Sequence, residues 1–209
     1  MKIKVIVFDF WQTLVSGSDK KIIDTMAKEL HFKDAKEFWD YCDNNLFAYK
    51  IKLDDFLKNL VKKRNIDPTK FNRIKNLFDQ SWVGVRLFED TKPTLERLKG
   101  KFKLVLLSNT ETTTGNRALD MFELRKYFDE IIFSCDVGLA KPNPKIFELV
   151  LRICNVKPEE ILFIGDHLKN DIIPARLVGF KTILLDRRNK YPEYKGEKWY
   201  IKSLEELNL

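Results

Sequence analysis

Short apolar runs and helix-spaced apolar positions alternate along this chain. Runs of strand length occupy Ile3–Phe8, Leu104–Leu107, Ile131–Phe133, Ile161–Ile164 and Thr182–Leu185. Several are apolar at consecutive positions, as expected of strands covered on both faces in a parallel sheet. Between the later runs, residues 91–99, 115–127, 144–154 and 171–178 carry helical periodicity. Strand then helix, repeated, predicts an α/β fold with right-handed crossovers around a parallel sheet. Residues 16–87 show helical spacing only, as in Ile22, Ile23, Met26 and Leu30, or Phe56, Leu57, Leu60 and Val61. Asp67 and Pro68 start the last helix there, with an N-cap and a proline in the first turn. A small all-helical bundle is therefore expected to interrupt an α/β core made of residues 1–15 and 88–209. After Arg187 comes a charged, Tyr-rich excursion, then an expected edge strand at Trp199–Ile201. A capped turn from Ser203 to Leu207 closes the chain.

Composition narrows the function classes. Apolar residues make up 44% of the 209 positions, enough for a sizeable core and too many for a disordered chain. No apolar run approaches the ~18 residues of a membrane-spanning helix, and the chain enters its first strand without a leader. Three cysteines in no CxxC spacing fit reduced thiols, and two histidines make a zinc site improbable. Together these lead us to expect a cytoplasmic protein. The net charge of +7 is spread over both regions and interleaved with acidic residues. That suits an anionic small substrate and is not a nucleic-acid footprint.

In an open parallel sheet, ligands bind beyond the carboxyl ends of the strands. Asp9 follows the first apolar run, Ser108 and Asn109 the second, Lys141 the third after a loop, and Gly165 and Asp166 the fourth, with Asp171 five residues on. Singly, each has a plain reading as a turn former, helix cap or solvated charge. All of them, in order and on one edge, point instead to a site that combines a nucleophile, a phosphate-binding group and metal-binding carboxylates.

Val5-Ile6-Val7-Phe8-Asp9-Phe10-Trp11-Gln12-Thr13-Leu14, Leu107-Ser108-Asn109, Lys141-Pro142-Asn143-Pro144-Lys145-Ile146-Phe147 and Ile164-Gly165-Asp166-His167-Leu168-Lys169-Asn170-Asp171 resemble the four motifs of the haloacid dehalogenase (HAD) superfamily. The helical insert resembles that family's cap of the first type. The resemblance implies a Rossmann-like core and, for most members, a Mg²⁺-dependent phosphatase acting through an aspartyl-phosphate. It makes Asp9 the nucleophile. Ser108 would hydrogen-bond the phosphoryl group, Asn109 would shape the same loop and contact substrate, and Lys141 would pair with both Asp9 and the phosphoryl group. Asp9 and Asp166 would bind Mg²⁺ directly, Asp171 directly or through another group, and Trp11 through its backbone carbonyl. The partner would be a small phosphorylated or halogenated organic molecule, handled by a monomer or homodimer.

Two positions depart from the pattern. The phosphatases carry a second Asp two residues after the nucleophile, which protonates the leaving oxygen and then deprotonates water. Here that position is Trp11, and losing the acid–base group is expected to cost about 10²–10⁴ in rate. The next position, usually glycine, is Gln12, which is strained if the turn needs a positive φ. An aromatic at position 11 is a feature of the family's dehalogenases, and Trp11 could equally plug the space between core and cap. Those enzymes, however, are metal-free and hold their substrate with an arginine early in the cap. This chain has no arginine between Asp9 and Arg64. A slow phosphatase is thus the leading expectation, ahead of a 2-haloacid dehalogenase and of a binding protein on a HAD scaffold. His167 and Glu111 are candidates for the missing proton donor, and Lys33, Lys36 and Tyr49 for substrate contacts from the helical insert.

Overall fold

The computed structural model describes residues 2–209. Six parallel strands form one sheet: β1 (Val5–Phe8), β2 (Lys103–Ser108), β3 (Glu130–Phe133), β4 (Ile161–Gly165), β5 (Lys181–Leu185) and β6 (Tyr200–Ile201). Their spatial order is β3-β2-β1-β4-β5-β6. The chain winds outward one way from β1 and the other way from β4. The carboxyl ends of these neighbours therefore flank the crevice at which the strand order reverses. β1 is wholly apolar because alternate residues enter different cores. Ile6 and Phe8 join one cluster, while Val5 and Val7 pack with Ile146, Phe147 and Val150 in another.

Four helices separate β1 from β2's approach: α1 (Lys20–Glu29), α2 (Ala35–Asn45), α3 (Leu53–Lys63) and α4 (Phe71–Ser81). Each buries the apolar stripe its spacing predicts, such as Phe38 and Cys42 of α2 and Phe56, Leu57, Leu60 and Val61 of α3. Asp19 and Asp34 cap the first two, accepting from Ile22 N and Glu37 N. Around the sheet lie α5 (Thr91–Leu98), α6 (Thr112–Met121), α7 (Ser134–Val137), α8 (Pro144–Cys154) and α9 (Ile173–Leu177). Among the described residues no helix is long and apolar enough to cross a membrane.

The element boundaries shift where local geometry intervenes. The helix expected over 115–127 starts earlier, because the Glu111 carboxylate caps Thr114 N, and ends at Met121. Glu123 then takes a φ of 54° and the chain resumes as a 3₁₀ turn at Arg125–Tyr127. The helix expected over 171–178 is a π-helical turn, Leu168–Ile172, followed by α9. The chain-end strand is Tyr200–Ile201, and Leu204–Glu206 forms a 3₁₀ turn with a capping box from Ser203.

The two segments joining insert and sheet run side by side. Ser16 N donates to Arg86 O (2.8 Å), Arg86 N to Ser16 Oγ (2.7 Å) and Phe88 N to Leu14 O (3.2 Å). A buried ion pair braces this junction. Arg187, just after β5, makes two bonds to Asp90 (2.9 and 2.7 Å) and two to Thr13 O (3.1 and 3.0 Å). Asp90 also accepts from Ser203 Oγ and Leu204 N, each at 2.8 Å. Burial pushes the Asp90 carboxyl up, but Arg187, Ser203 and Leu204 outweigh it and hold it below the ordinary range.

Removing one partner of a buried pair leaves the other charged and unsatisfied, so Asp90→Ala should cost about 3–5 kcal/mol in urea unfolding. Since the folded pKa is depressed, the stabilisation is complete above the unfolded value of about 3.9 and fades as pH falls below it. A loss under about 1 kcal/mol, the size of an exposed pair, would show the clamp to be incidental.

Candidate active site

The site begins where β1 ends. Asp9 N donates to Ile164 O at 2.9 Å, pinning the residue against β4. The chain then turns back on itself, with Leu14 N and Val15 N both donating to Phe10 O (2.9 and 3.2 Å). Gln12 occupies the left-handed region at φ 66°, the strain foreseen for a non-glycine residue here. Thr13 Oγ1 donates to Asp9 Oδ2 at 2.9 Å, while Arg187 grips the Thr13 carbonyl. The orientation of Asp9 is thus tied to the Asp90 clamp.

Lys141 lies at the centre. Its Nζ donates to Asp9 Oδ1 at 2.7 Å and to Asp171 Oδ1 at 2.6 Å, with its side chain only 3% exposed. Asn109 holds the Lys141 backbone from both sides, Nδ2 donating to Lys141 O and Lys141 N donating to Oδ1, each at 2.8 Å. The amide of Asn109 is thereby engaged in fixing the lysine. Asp171 Oδ2 accepts from His167 N at 3.0 Å. This carboxylate packs so close to β4 that a Cβ on Gly165 would stand 2.6 Å from Oδ2, which is why glycine is required there. Ser108, the last residue of β2, has a buried hydroxyl with no partner among the described residues. That leaves the hydroxyl free to donate to a bound group or to water.

Burial pushes the Asp9 carboxyl up to about 7, against the opposing pull of Lys141. Burial likewise raises Asp171. Burial disfavours charge on Lys141 too, but Asp171 and Asp9 outweigh it and raise its pKa. Asp166 stands at the outer edge, paired with Arg188 (3.2 Å) and Lys190 (3.0 Å). Oxygens of Asp9, Asp166 and Asp171 lie within 4.8 Å of one another. Three carboxylates so close repel one another; Lys141 offsets Asp9 and Asp171 from within, while Arg188 and Lys190 offset Asp166 from the outer edge. An all-oxygen donor set of this kind fits a hard divalent cation such as Mg²⁺.

A cavity of about 480 Å³ opens between the helical insert and the sheet edge. Trp11, Trp39, Phe47 and Leu53 supply apolar wall, while Asn109, Arg188 and Asp43 supply polar groups. Trp11 lines the cavity, and it packs against Phe10 and, edge-on, against Trp82 of the insert at ring distances of 5.2 and 6.1 Å. Of the insert residues singled out as substrate contacts, Lys36 reaches the cavity wall, whereas Lys33 and Tyr49 are not among its lining residues. Glu111 is buried and spent as the cap of α6, and the Nδ1 atom of His167 accepts from Asn170 N at 3.2 Å. Neither lines the cavity. Asp43, Arg187 and Arg188 were missed because the fold brings each to the site from a distant part of the chain, and Thr13, four residues from Asp9, was given no role of its own.

Comparison with known proteins fits this geometry. The family model for haloacid dehalogenase-like hydrolases matches residues 3–179. Glyceraldehyde 3-phosphate phosphatase of Pyrococcus furiosus is 32% identical, the alignment covering 92% of this chain and 84% of that protein. Among solved structures, a HAD phosphatase from Thermococcus onnurineus matches with a TM-score of 0.65 at 22% identity, covering 98% of this chain and 95% of the other. A 2-haloacid dehalogenase from Pseudomonas syringae matches almost equally, with a TM-score of 0.64 at 22% identity over 97% and 95%. At that identity the two structures speak for the shared fold alone and do not choose between chemistries. The sheet order, the four strand-end motifs and a family match over most of its length make this chain a member of the haloacid dehalogenase-like hydrolases.

Proposed function

We propose that this protein is a divalent-cation-dependent phosphatase of small phosphomonoesters, with Asp9 as nucleophile and residues 16–87 as a helical cap over the cavity. The observation that carries this reading is the convergence of Asp9, Asp166 and Asp171, the first and last of them paired with the buried Lys141 ammonium. Three carboxylates able to hold a divalent cation suit a phosphoryl dianion, whose repulsion from Asp9 such a cation would offset, whereas displacement of a halide needs no such ion. The P. furiosus relative, named for action on a phosphomonoester, supports the same choice.

An Asp9 carboxylate oxygen attacks phosphorus in line as the bond to the leaving oxygen breaks. The resulting aspartyl-phosphate is then hydrolysed by water. Lys141 offsets the repulsion between carboxylate and phosphoryl oxygens, and the unpartnered Ser108 hydroxyl donates to one of those oxygens. Thr13 keeps the second Asp9 oxygen turned away from the attack. Asp9, Asp166 and the Trp11 carbonyl would hold Mg²⁺, with Asp171 chiefly anchoring Lys141. When bound, the ion would add positive charge where the phosphoryl group accumulates negative charge. The aromatic Trp11 on an apolar cavity wall is the one feature that keeps the dehalogenase reading in view.

Asp9→Asn should abolish both turnover and covalent labelling by a ³²P-phosphomonoester. Chloride release from a 2-haloacid that persists in chelator would replace this reading with dehalogenation.

Metal binding has a readout of its own. At a hundredfold excess over Kd, Mg²⁺ should stabilise the wild type by about 2.7 kcal/mol, or roughly 5–10 °C in Tm for a chain of this size. Asp166→Asn should lose most of that shift in differential scanning fluorimetry. An equal shift in the variant would remove Asp166 from the metal site.

A further inference from the structure

Trp11 has no titratable group, Glu111 is engaged as the cap of α6, and His167, whose Nδ1 accepts from Asn170 N, does not line the cavity. The cavity wall nevertheless holds one acid. Asp43 lies on α2, one turn after Trp39 and just before Leu46 and Phe47, and all four line the cavity. A carboxyl group set among apolar side chains on the inner face of a helix costs free energy unless it is paired or protonated.

Every cation on that wall is paired with another acid. Lys20 bonds Asp24 at 2.7 Å, Lys36 bonds Asp40 at 2.5 Å and Arg188 bonds Asp166 at 3.2 Å. The Asp43 carboxylate has neither a hydrogen bond nor an ion pair among the described residues. The charged groups acting on it are Asp40 on its own helix and Lys141 from the sheet edge, so Asp43 lies within electrostatic reach of the lysine that holds Asp9. Burial, with Asp40 adding to it and Lys141 opposing, pushes its carboxyl up to about 6. It can therefore carry a proton and still release it near neutral pH.

We propose that Asp43, presented from α2 into the cavity shared with Trp11 and Asn109, is the general acid and base of the reaction. This rests on the phosphatase reading and deepens it. In the first half, the Asp9–phosphorus bond forms while the bond from phosphorus to the alcohol oxygen breaks. That oxygen takes the proton of Asp43. In the second half, the Asp43 carboxylate takes a proton from water as the water oxygen attacks phosphorus. The Asp9–phosphorus bond breaks, inorganic phosphate leaves, and both aspartates return to their starting states. The acid that other members place two residues after the nucleophile is here supplied by the insert. The site is complete only when the insert lies over the sheet edge.

The test compares wild type, Asp43→Asn and Asp43→Ala in stopped flow, with glycerol phosphate and p-nitrophenyl phosphate as substrates. Turnover of glycerol phosphate should fall by about 10²–10⁴ in both variants. With p-nitrophenyl phosphate, whose phenolate leaves unprotonated, both variants should still release a burst of about one equivalent and then stall for want of a base. The burst also reports that the variants are folded. In the wild type, phosphorylation of Asp9 by glycerol phosphate should show a falling limb at alkaline pH, where Asp43 has lost its proton, and the variants should lack that limb. Variants that turn over glycerol phosphate within about threefold of wild type would overturn the assignment while leaving Asp9 chemistry intact. A wild type that never carries label on Asp9 would overturn the phosphatase reading and this assignment together.

Discussion

Everything at this site is arranged around one buried ammonium. Lys141 stands between Asp9 and Asp171 with almost no solvent contact, and it makes tolerable a group of acids that could not otherwise be packed together. A buried ion pair contributes little net stability, since desolvation consumes most of the attraction, but it makes position matter. The lysine must be held by its backbone, and Asn109 does so from both sides. Asp171 must approach β4 closely, and Gly165 leaves room for it. Asp9 must present one oxygen and restrain the other, which Thr13 does. The parallel sheet gathers these groups because its strands end together.

The second half of the cavity obeys a different constraint. Its walls set aromatic and aliphatic side chains beside Asn109, Arg188 and Asp43. The apolar share of that wall makes an unpaired acid costly, so the state of Asp43 is set by the walls around it as much as by its neighbours in charge. Trp11 belongs to both halves. It sits two residues from Asp9, yet its ring packs on Trp82 of the insert, so the closing surface is built into the loop that carries the nucleophile.

What could be read from the chain divides along the distance between partners. The buried strands announced themselves because residues covered on both faces leave consecutive apolar runs. Asp9, Ser108, Lys141 and Asp166 followed because each lies at the end of such a run or on the loop after it. Gln12 was legible as a strained turn and is one, at φ 66°. By contrast, Asp90 and Arg187 are separated by 97 positions, and nothing local marks either as half of a buried pair. Asp43 reads as an ordinary helical acid until the fold sets α2 over the sheet edge. The end of α6 was misjudged because its apolar periodicity continues past Met121, while the backbone at Glu123 turns left-handed. Glu111 was a candidate by proximity to Ser108, but proximity in sequence gave no sign that its carboxylate would close the first turn of α6.

The junction at Ser16 and Arg86 has a consequence for descent. Seventy positions apart, these residues are hydrogen-bonded neighbours, so the chain leaves the sheet and returns to it almost at a single point. Closing a loop costs free energy that grows only slowly with its length. The entropic cost of that closure therefore depends little on how many residues are strung between the two. An ancestor could lengthen, shorten or exchange the helices at that point at little such cost, provided the apolar surface that they share with β1 stays covered. In such a lineage the nucleophile stays fixed while the surface facing it is recast.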